Sequence, residues 1–234
     1  TLDGARALFL LRPPQVSDAD GVMNPFVAAA VAAGVRHVVF LSVQGAERNP
    51  VVPHHAVERN LRRLADAGHA THTFLRAAFF CQNLSTTHAA EIRDRGEIVV
   101  PAGDGRTAFV DARDVAAVAA LALAAPAAHA NRAHELTSGE ALTYDEVAAI
   151  LARVLGRPIR YARPGPIAFW RDRPALGDAP GFILVMEGLY ATARFGLAGR
   201  VSPALAELLA PLGRSPITVE RFARDHADVW RRDA

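Results

Sequence analysis

Residues 32–42 read AAGVRHVVFLS, and residues 70–76 read ATHTFLR. In the first stretch the apolar side chains run without a break from Val38 to Leu41 and stop at Ser42. A strand covered by helices on both faces reads this way, as strands of parallel sheets do. Upstream, Asn24 is placed to cap a helix, Pro25 suits its first turn, and Gly34 stands where a left-handed cap ends it. Downstream, a loop from Val43 to Pro53 leads into a helix from about His54 to Ala67, with Val57, Leu61 and Leu64 at helical spacing and Gly68 as the stop. The second stretch is then the next strand. A strand nearer the N-terminus spans Ala5 to Leu11, an apolar run that suits a parallel strand buried on both faces, and breaks at Arg12-Pro13-Pro14. Strand, helix, strand, helix, strand in this order predicts an α/β fold with a parallel sheet and flanking helices.

Beyond Arg76 the alternation loosens. Ala77 to Leu84 is apolar and irregular, and a polar helix is expected to follow to Arg95. Ile98 to Val100 and Thr107 to Val110 read as extended, with a GDGR turn between them. Asp114 is expected to cap a helix reaching Ala124. Thr143-Tyr144-Asp145-Glu146 is a capping box that opens a helix to Leu155, stopped by Gly156. From Pro164 onward the chain is helical and richer in aromatics. Residues 1–140 are therefore expected to form the sheet-bearing core, and 141–234 a smaller, mainly helical, substrate-facing part.

Bulk properties narrow the class. Half of the 234 residues are hydrophobic, enough for a sizeable core, and the formal charge is +2. Acidic and basic residues are interspersed, with no basic stripe, which argues against nucleic acid as a partner. The single cysteine, Cys81, excludes an intrachain disulfide and suggests a reducing, cytoplasmic setting. No apolar run approaches the roughly 20 residues of a membrane span. His54 and His55 are adjacent and diverge on a helix, so no metal site is expected. Asp111 and Asp114 are not read as a catalytic carboxylate pair.

Several stretches together resemble the NmrA-like family of atypical short-chain dehydrogenase/reductases: ALFLLRPP, AAGVRHVVFLS, HHAVERNLRRLADAG, THTFLRAAFFCQNL, AFVDARDVAAVAALAL, HELTSGEALTYDEVAAILARVLGRPIRY and LGRSPITVERFARDH. The ordered set carries the resemblance more than any one segment. It implies a Rossmann-like fold that binds NADP or NAD, with NADP favoured, and a small-molecule substrate. Members include NAD(P)H-dependent reductases, quinone-reductase-like enzymes and redox-sensing regulators, so an oxidoreductase acting on a small quinone or carbonyl compound is expected. A non-catalytic NAD(P)-sensing protein is the alternative, and a homodimer is a candidate assembly.

The seventeen glycines never form a G-x-G-x-x-G turn after a strand, the loop that holds a dinucleotide's diphosphate on a helix N-terminus. In the family's order this chain begins just before the fourth strand. That leaves roughly 60 residues outside the sequence, at about 30 per strand-helix-strand unit. The expectation is an N-terminally truncated stretch of a cofactor-binding protein. A fragment unable to bind cofactor is the other reading.

Ligands of open α/β sheets bind at the carboxyl ends of the strands. The resemblance places Arg12, Pro13 and Pro14 along the adenosine half of the cofactor. It puts Ser42, Val43 and Gln44 at a second strand end, with Ser42 as a catalytic hydroxyl donating to the substrate carbonyl. Phe79, Phe80 and Asn83 fall beside the nicotinamide, Asn83 holding the loop. Related reductases use a tyrosine and a lysine as proton donor. A glutamate four residues after the lysine, matching Glu58, sets the register and puts His54 on the lysine position. No tyrosine occurs in residues 1–143. His54 is therefore expected to serve as general acid or to orient the ribose, since an unperturbed histidine titrates near neutrality. Phe109, Phe169, Trp170, Met186 and Tyr190 are expected to line the substrate pocket, although side chains at helical spacing, such as Met186 and Tyr190, also suit a core.

Overall fold

The computed structural model describes residues 2, 4–13, 16–177 and 179–231. The chain forms two compact units built from interleaved stretches. One comprises Thr1–Ala78, Arg113–Leu136 and Ala204–Arg214; the other comprises Phe79–Ala112, Thr137–Pro203 and Ser215–Ala234. The strands are β1 (Ala7–Leu11), β2 (His37–Val43), β3 (Thr71–Ala77), β4 (Phe79–Phe80), β5 (Glu97–Ile98), β6 (Thr107–Val110), β7 (Arg132–Leu136), β8 (Ala141–Leu142) and β9 (Arg160–Tyr161). The longer helices are α1 (Asn24–Ala32), α2 (Pro53–Asp66), α3 (Ala112–Ala124), α4 (Tyr144–Leu155) and α5 (Pro180–Arg194).

In the first unit β1, β2, β3 and β7 lie side by side in that order, every pair parallel. The α/β sheet with flanking helices expected from the sequence is the fold observed. Val57 and Leu61, one helical turn apart on α2, are buried with Val38, Phe40 and Phe74 of the sheet. Each such side chain contributes about 1.5–3 kcal/mol by leaving water. The same face of α2 buries His54 and Glu58, which the packing carries inward with their apolar neighbours.

Three local expectations are corrected. The first helical segment starts before Asn24, because Asp18 accepts the Gly21 N–H at 2.7 Å and caps a turn at Ala19–Met23 that runs on into α1. Asn24 instead donates its side-chain amide to Asp20. Asp114 is not a cap either. It lies inside the first turn of α3, fully buried, where Arg214 donates to it at 2.8 Å. The strand β1 is not buried on both faces: with β7 it is one of the two outer strands of this sheet among the described residues, and Phe9 and Leu11 remain 40% and 52% exposed.

In the second unit β4 pairs parallel with β6, β6 antiparallel with β8, and β5 parallel with β9. The capping box of α4 is complete, with Glu146 N–H donating to Thr143 Oγ1 at 3.2 Å and Thr143 N–H donating to Glu146 Oε2 at 2.7 Å. The GDGR turn packs its backbone on the end of α5. A Cβ at Gly105 would come within 1.9 Å of the Ala193 carbonyl oxygen. Backbone cannot yield as a flexible side chain can, so Gly105→Ala should destabilise the protein by about 1–3 kcal/mol or more, the usual cost of overpacking. Urea denaturation checks this, and an unchanged midpoint would show that the close approach is not required. Among the described residues no helix is long and apolar enough to cross a membrane.

Candidate active site

Glu58 organises the strand ends of the first unit. It is wholly buried, yet its carboxylate is surrounded by donors. Arg76, the last polar residue of β3, approaches it in a two-pronged arrangement, Nε to Oε1 at 3.0 Å and Nη2 to Oε2 at 2.7 Å. Ser42 donates its hydroxyl to Oε1 at 2.7 Å, and Arg62 donates to Oε2 at 2.6 Å. Ser42 and Arg76 can share this carboxylate because they are direct neighbours in the β2–β3 register. Arg76 also reaches Glu47 at 3.2 Å. Burial alone would push the Glu58 carboxyl up, but the Arg76 and Ser42 hydrogen bonds and the charges of Arg76 and Arg62 outweigh it and hold the pKa below the ordinary carboxylate value.

This geometry changes the part Ser42 can take. Its proton points at Glu58, so a ligand oxygen arriving at the strand end would find lone pairs rather than a donor. The Glu58 cluster has no direct signature in the sequence. A lone arginine ending an apolar strand and a lone glutamate on the buried face of α2 are the signals that could pair them.

His54, at the start of α2, is 9% exposed and lies beside Phe40, with ring centroids 5.8 Å apart. Arg12 Nε points at its Nε2 from 3.5 Å. Facing a guanidinium, Nε2 must be the unprotonated nitrogen, which leaves the proton on Nδ1. That Nδ1 is buried and has no hydrogen-bond partner among the described residues. Burial, followed by the positive charge of Arg12, lowers the His54 pKa to about 4. The expectation of a histidine poised near neutrality is therefore corrected: at neutral pH His54 is an uncharged imidazole offering one N–H. A buried donor without an acceptor is costly, and a ligand hydroxyl or carbonyl oxygen would satisfy it. This single N–H fits the sugar portion of a dinucleotide, whose hydroxyl oxygens can accept it.

The other expected positions fall as follows. Arg12 also donates to the Pro13 and Val16 carbonyls, closing the loop after β1, and Pro14 lies outside the described residues. Val43 and Gln44 end β2, with the Gln44 N–H on the Ala77 carbonyl at 3.0 Å. In the second unit Phe79 and Phe80 pair with Phe109 and Val110. Asn83 accepts the His88 N–H on its backbone carbonyl. Its neighbour Gln82 clasps the loop after β6, its side chain bonding both Asp111 and the Ala112 N–H at 3.1 Å. Phe109, Phe169, Met186 and Tyr190 come together with Phe79 in the buried core of that unit, whereas Trp170 lies at the surface.

A parallel sheet with helices between its strands, and with polar side chains gathered at the strands' carboxyl ends, is the arrangement in which open α/β proteins bind their ligands. Comparison with known proteins makes the class specific. The pattern of the NmrA-like family matches residues 1–174, and the chain belongs to that family. It is 33% identical to an NAD(P)H azoreductase of Xenophilus azovorans, over 98% of this chain and 78% of that protein. It is 35% identical to the (4-alkanoyl-5-oxo-2,5-dihydrofuran-3-yl)methyl phosphate reductase of Streptomyces griseus, with the same coverage of 98% and 78%. Among solved structures it resembles an NADPH-dependent quinone oxidoreductase of Escherichia coli in complex with NADPH, with a TM-score of 0.82, 25% identity, and coverage of 97% of this chain and 78% of that one.

Proposed function

We infer that the protein is an NAD(P)H-dependent oxidoreductase of the NmrA-like type that reduces a small quinone or carbonyl compound. The observation that carries this reading is the buried, unpartnered Nδ1–H of His54 at the carboxyl edge of a parallel sheet. The relatives named above support it, since each is a reductase or oxidoreductase and two are named for NAD(P)H or NADPH. The cofactor supplies hydride when bound. In this proposal His54 donates Nδ1–H to a ribose hydroxyl, Arg12 fixes the imidazole tautomer and faces the adenosine half, and Val43 and Gln44 border the sugar. Ser42 acts at one remove, holding Glu58 and through it Arg76. Phe79 and Phe80 are the proposed neighbours of the nicotinamide, and the second unit is the proposed substrate-facing part. A homodimer belongs to the same proposal, supported by the exposed Leu184, Val185 and Leu189 of α5. So does a cytoplasmic setting, supported by the single cysteine.

The second reading, a protein that binds NAD(P) without turning it over, is favoured by the absence of tyrosine from residues 1–143 and by the low pKa of His54. One experiment separates the two. NADPH and NADH are titrated against the protein by fluorescence, a panel of quinones and carbonyl compounds is added, and loss of the reduced nicotinamide absorbance is followed. Turnover is the expected result; binding without turnover would replace the first reading by the second. His54→Ala should lower kcat/KM at least about tenfold, the equivalent of about 1.4 kcal/mol. An unchanged value would make His54 a spectator.

A further inference from the structure

A concavity of about 830 Å³ opens in the second unit where the GDGR turn meets the end of α5. Three arginines, Arg106, Arg194 and Arg200, line it with a single carboxylate, that of Asp104. Backbone hydrogen bonds build its walls. The Gly196 N–H donates to the Ala193 carbonyl at 2.9 Å and the Leu197 N–H to the Thr192 carbonyl at 2.7 Å, so the chain turns back as α5 ends. The Ala108 N–H then donates to the Ala198 carbonyl at 2.7 Å, which holds the returning segment along the start of β6. Two glycines let the arginine stems lie close to backbone. A Cβ at Gly103 would come within 3.5 Å of Arg194 Cγ, and one at Gly199 within 3.3 Å of Arg106 Cβ.

The acids nearby are already engaged. Asp104 accepts from Arg163, and Glu146 accepts from Arg106 at 3.1 Å. Among the described residues the Arg194 guanidinium bonds only the Pro101 carbonyl, at 3.5 Å. A cation in the last turn of α5 suits the helix dipole. That accounts for Arg194, but not for Arg106 and Arg200 converging on the same hollow from two other segments. Like charges gathered in one cleft repel each other, and its low-dielectric walls focus their field on a counter-ion. The size of the hollow narrows the choice of anion. Sites of roughly 300–1,000 Å³ take organic molecules, and an inorganic ion fills little of one. Phe195 and Leu197, chain neighbours of the lining residues Arg194 and Gly196, are each 73% exposed and supply apolar surface.

We propose that this concavity binds an organic anion, its acidic group among the guanidiniums of Arg106, Arg194 and Arg200 and its apolar body along Phe195 and Leu197. A carboxylate, a sulfonate or a phosphate monoester presents the paired oxygens that a guanidinium fork recognises. The site goes beyond the oxidoreductase reading and does not depend on it, because binding here needs no hydride transfer.

Calorimetric titration of the whole protein with naphthoate, naphthalenesulfonate and naphthyl phosphate tests the site. At least one should bind with a dissociation constant below about 1 mM. Naphthalenemethanol keeps the rings but lacks the charge, and should bind at least about tenfold more weakly. The acid that binds most tightly identifies the group the site takes. Added salt should weaken the acids and leave the alcohol unchanged, since it screens exposed charges. Arg194→Gln and Arg200→Gln, both at exposed positions, should each weaken the best acid at least about fivefold. In nitrogen–proton NMR spectra of the parent, that acid should shift the amide signals of Gly103, Gly105 and Gly199. Equal affinity for acid and alcohol, or for the naphthyl acids and inorganic phosphate, would overturn the proposal without recourse to any variant. So would unchanged affinity in both arginine variants, or no binding by any of the three acids. Displacement of the bound acid by NADPH would place it in the cofactor site and overturn the proposal as well, while leaving the oxidoreductase reading intact.

Discussion

Glu58→Ala is expected to lower the unfolding free energy by about 3–5 kcal/mol, the cost of stripping one partner from a buried charged cluster. The carboxylate is inaccessible to solvent and accepts from Ser42, Arg62 and Arg76. Its removal leaves the buried Arg76 guanidinium facing Glu47 alone among its close acidic partners at the strand end. A urea titration at neutral pH reads the loss. Adding Arg76→Leu should recover part of it, because an apolar pair escapes the desolvation that the lone cation suffers, and the coupling between the two sites should exceed about 0.5 kcal/mol. A loss under about 1 kcal/mol would place Glu58 among ordinary surface ion pairs. The same substitution releases Ser42, so any change in the cofactor titration would report on the strand end itself.

Stability is also expected to fall steeply between about pH 6.5 and 4, largely before the carboxylates titrate. His54 and His72 both have folded-state pKa values lowered to about 4, in each case chiefly by burial and then by a nearby arginine, Arg12 or Arg62. In the unfolded chain they titrate near 6.5. Between these limits the unfolded state binds more protons than the native state, so stability rises with pH through the window and falls as the pH is lowered. A tenfold change in proton affinity corresponds to about 1.4 kcal/mol, so His54 accounts for at most about 3 kcal/mol at the acid end. His72, also buried and lowered to about 4, contributes on the same order. Glu58 acts in a separate range. Its folded pKa is depressed, so its contribution is intact above the unfolded carboxylate value, about 4.3, and is lost as the pH falls below that. Melting temperatures measured from pH 7 downward, for the parent and for His54→Gln and His72→Gln, should show the upper slope flattening in the variants. A flat profile from pH 7 to 4.5 would contradict the burial argument.

What is legible in the sequence is local. The apolar run of β2, the helix spacing of α2 and the capping box of α4 each lie within one element, and each forms as its sequence pattern indicates. The helix start at Asp18 escapes notice because Asn24-Pro25 is itself a good initiation signal, and only the Asp18–Gly21 hydrogen bond decides between them. Asp114 misleads for a different reason. A carboxylate near a helix start is ordinarily a cap, and nothing within one turn of it points to an arginine 100 residues away. The Glu58 cluster is assembled across a helix and two strands, and a hydrogen bond joins His88 to a tyrosine 102 residues later. His54 is identifiable by position but not by charge, because desolvation depends on how deeply α2 sits against the sheet.

The Asp114–Arg214 contact has a consequence for how the protein is made. Asp114 belongs to the buried first turn of α3, while the arginine that donates to it is encoded 100 residues downstream. At about 5–20 residues per second, translation would take roughly 5–20 seconds to bring Arg214 out of the ribosome after Asp114. Until then Asp114 lacks this donor. The first unit, which includes Ala204–Arg214, is complete only after that segment has left the ribosome.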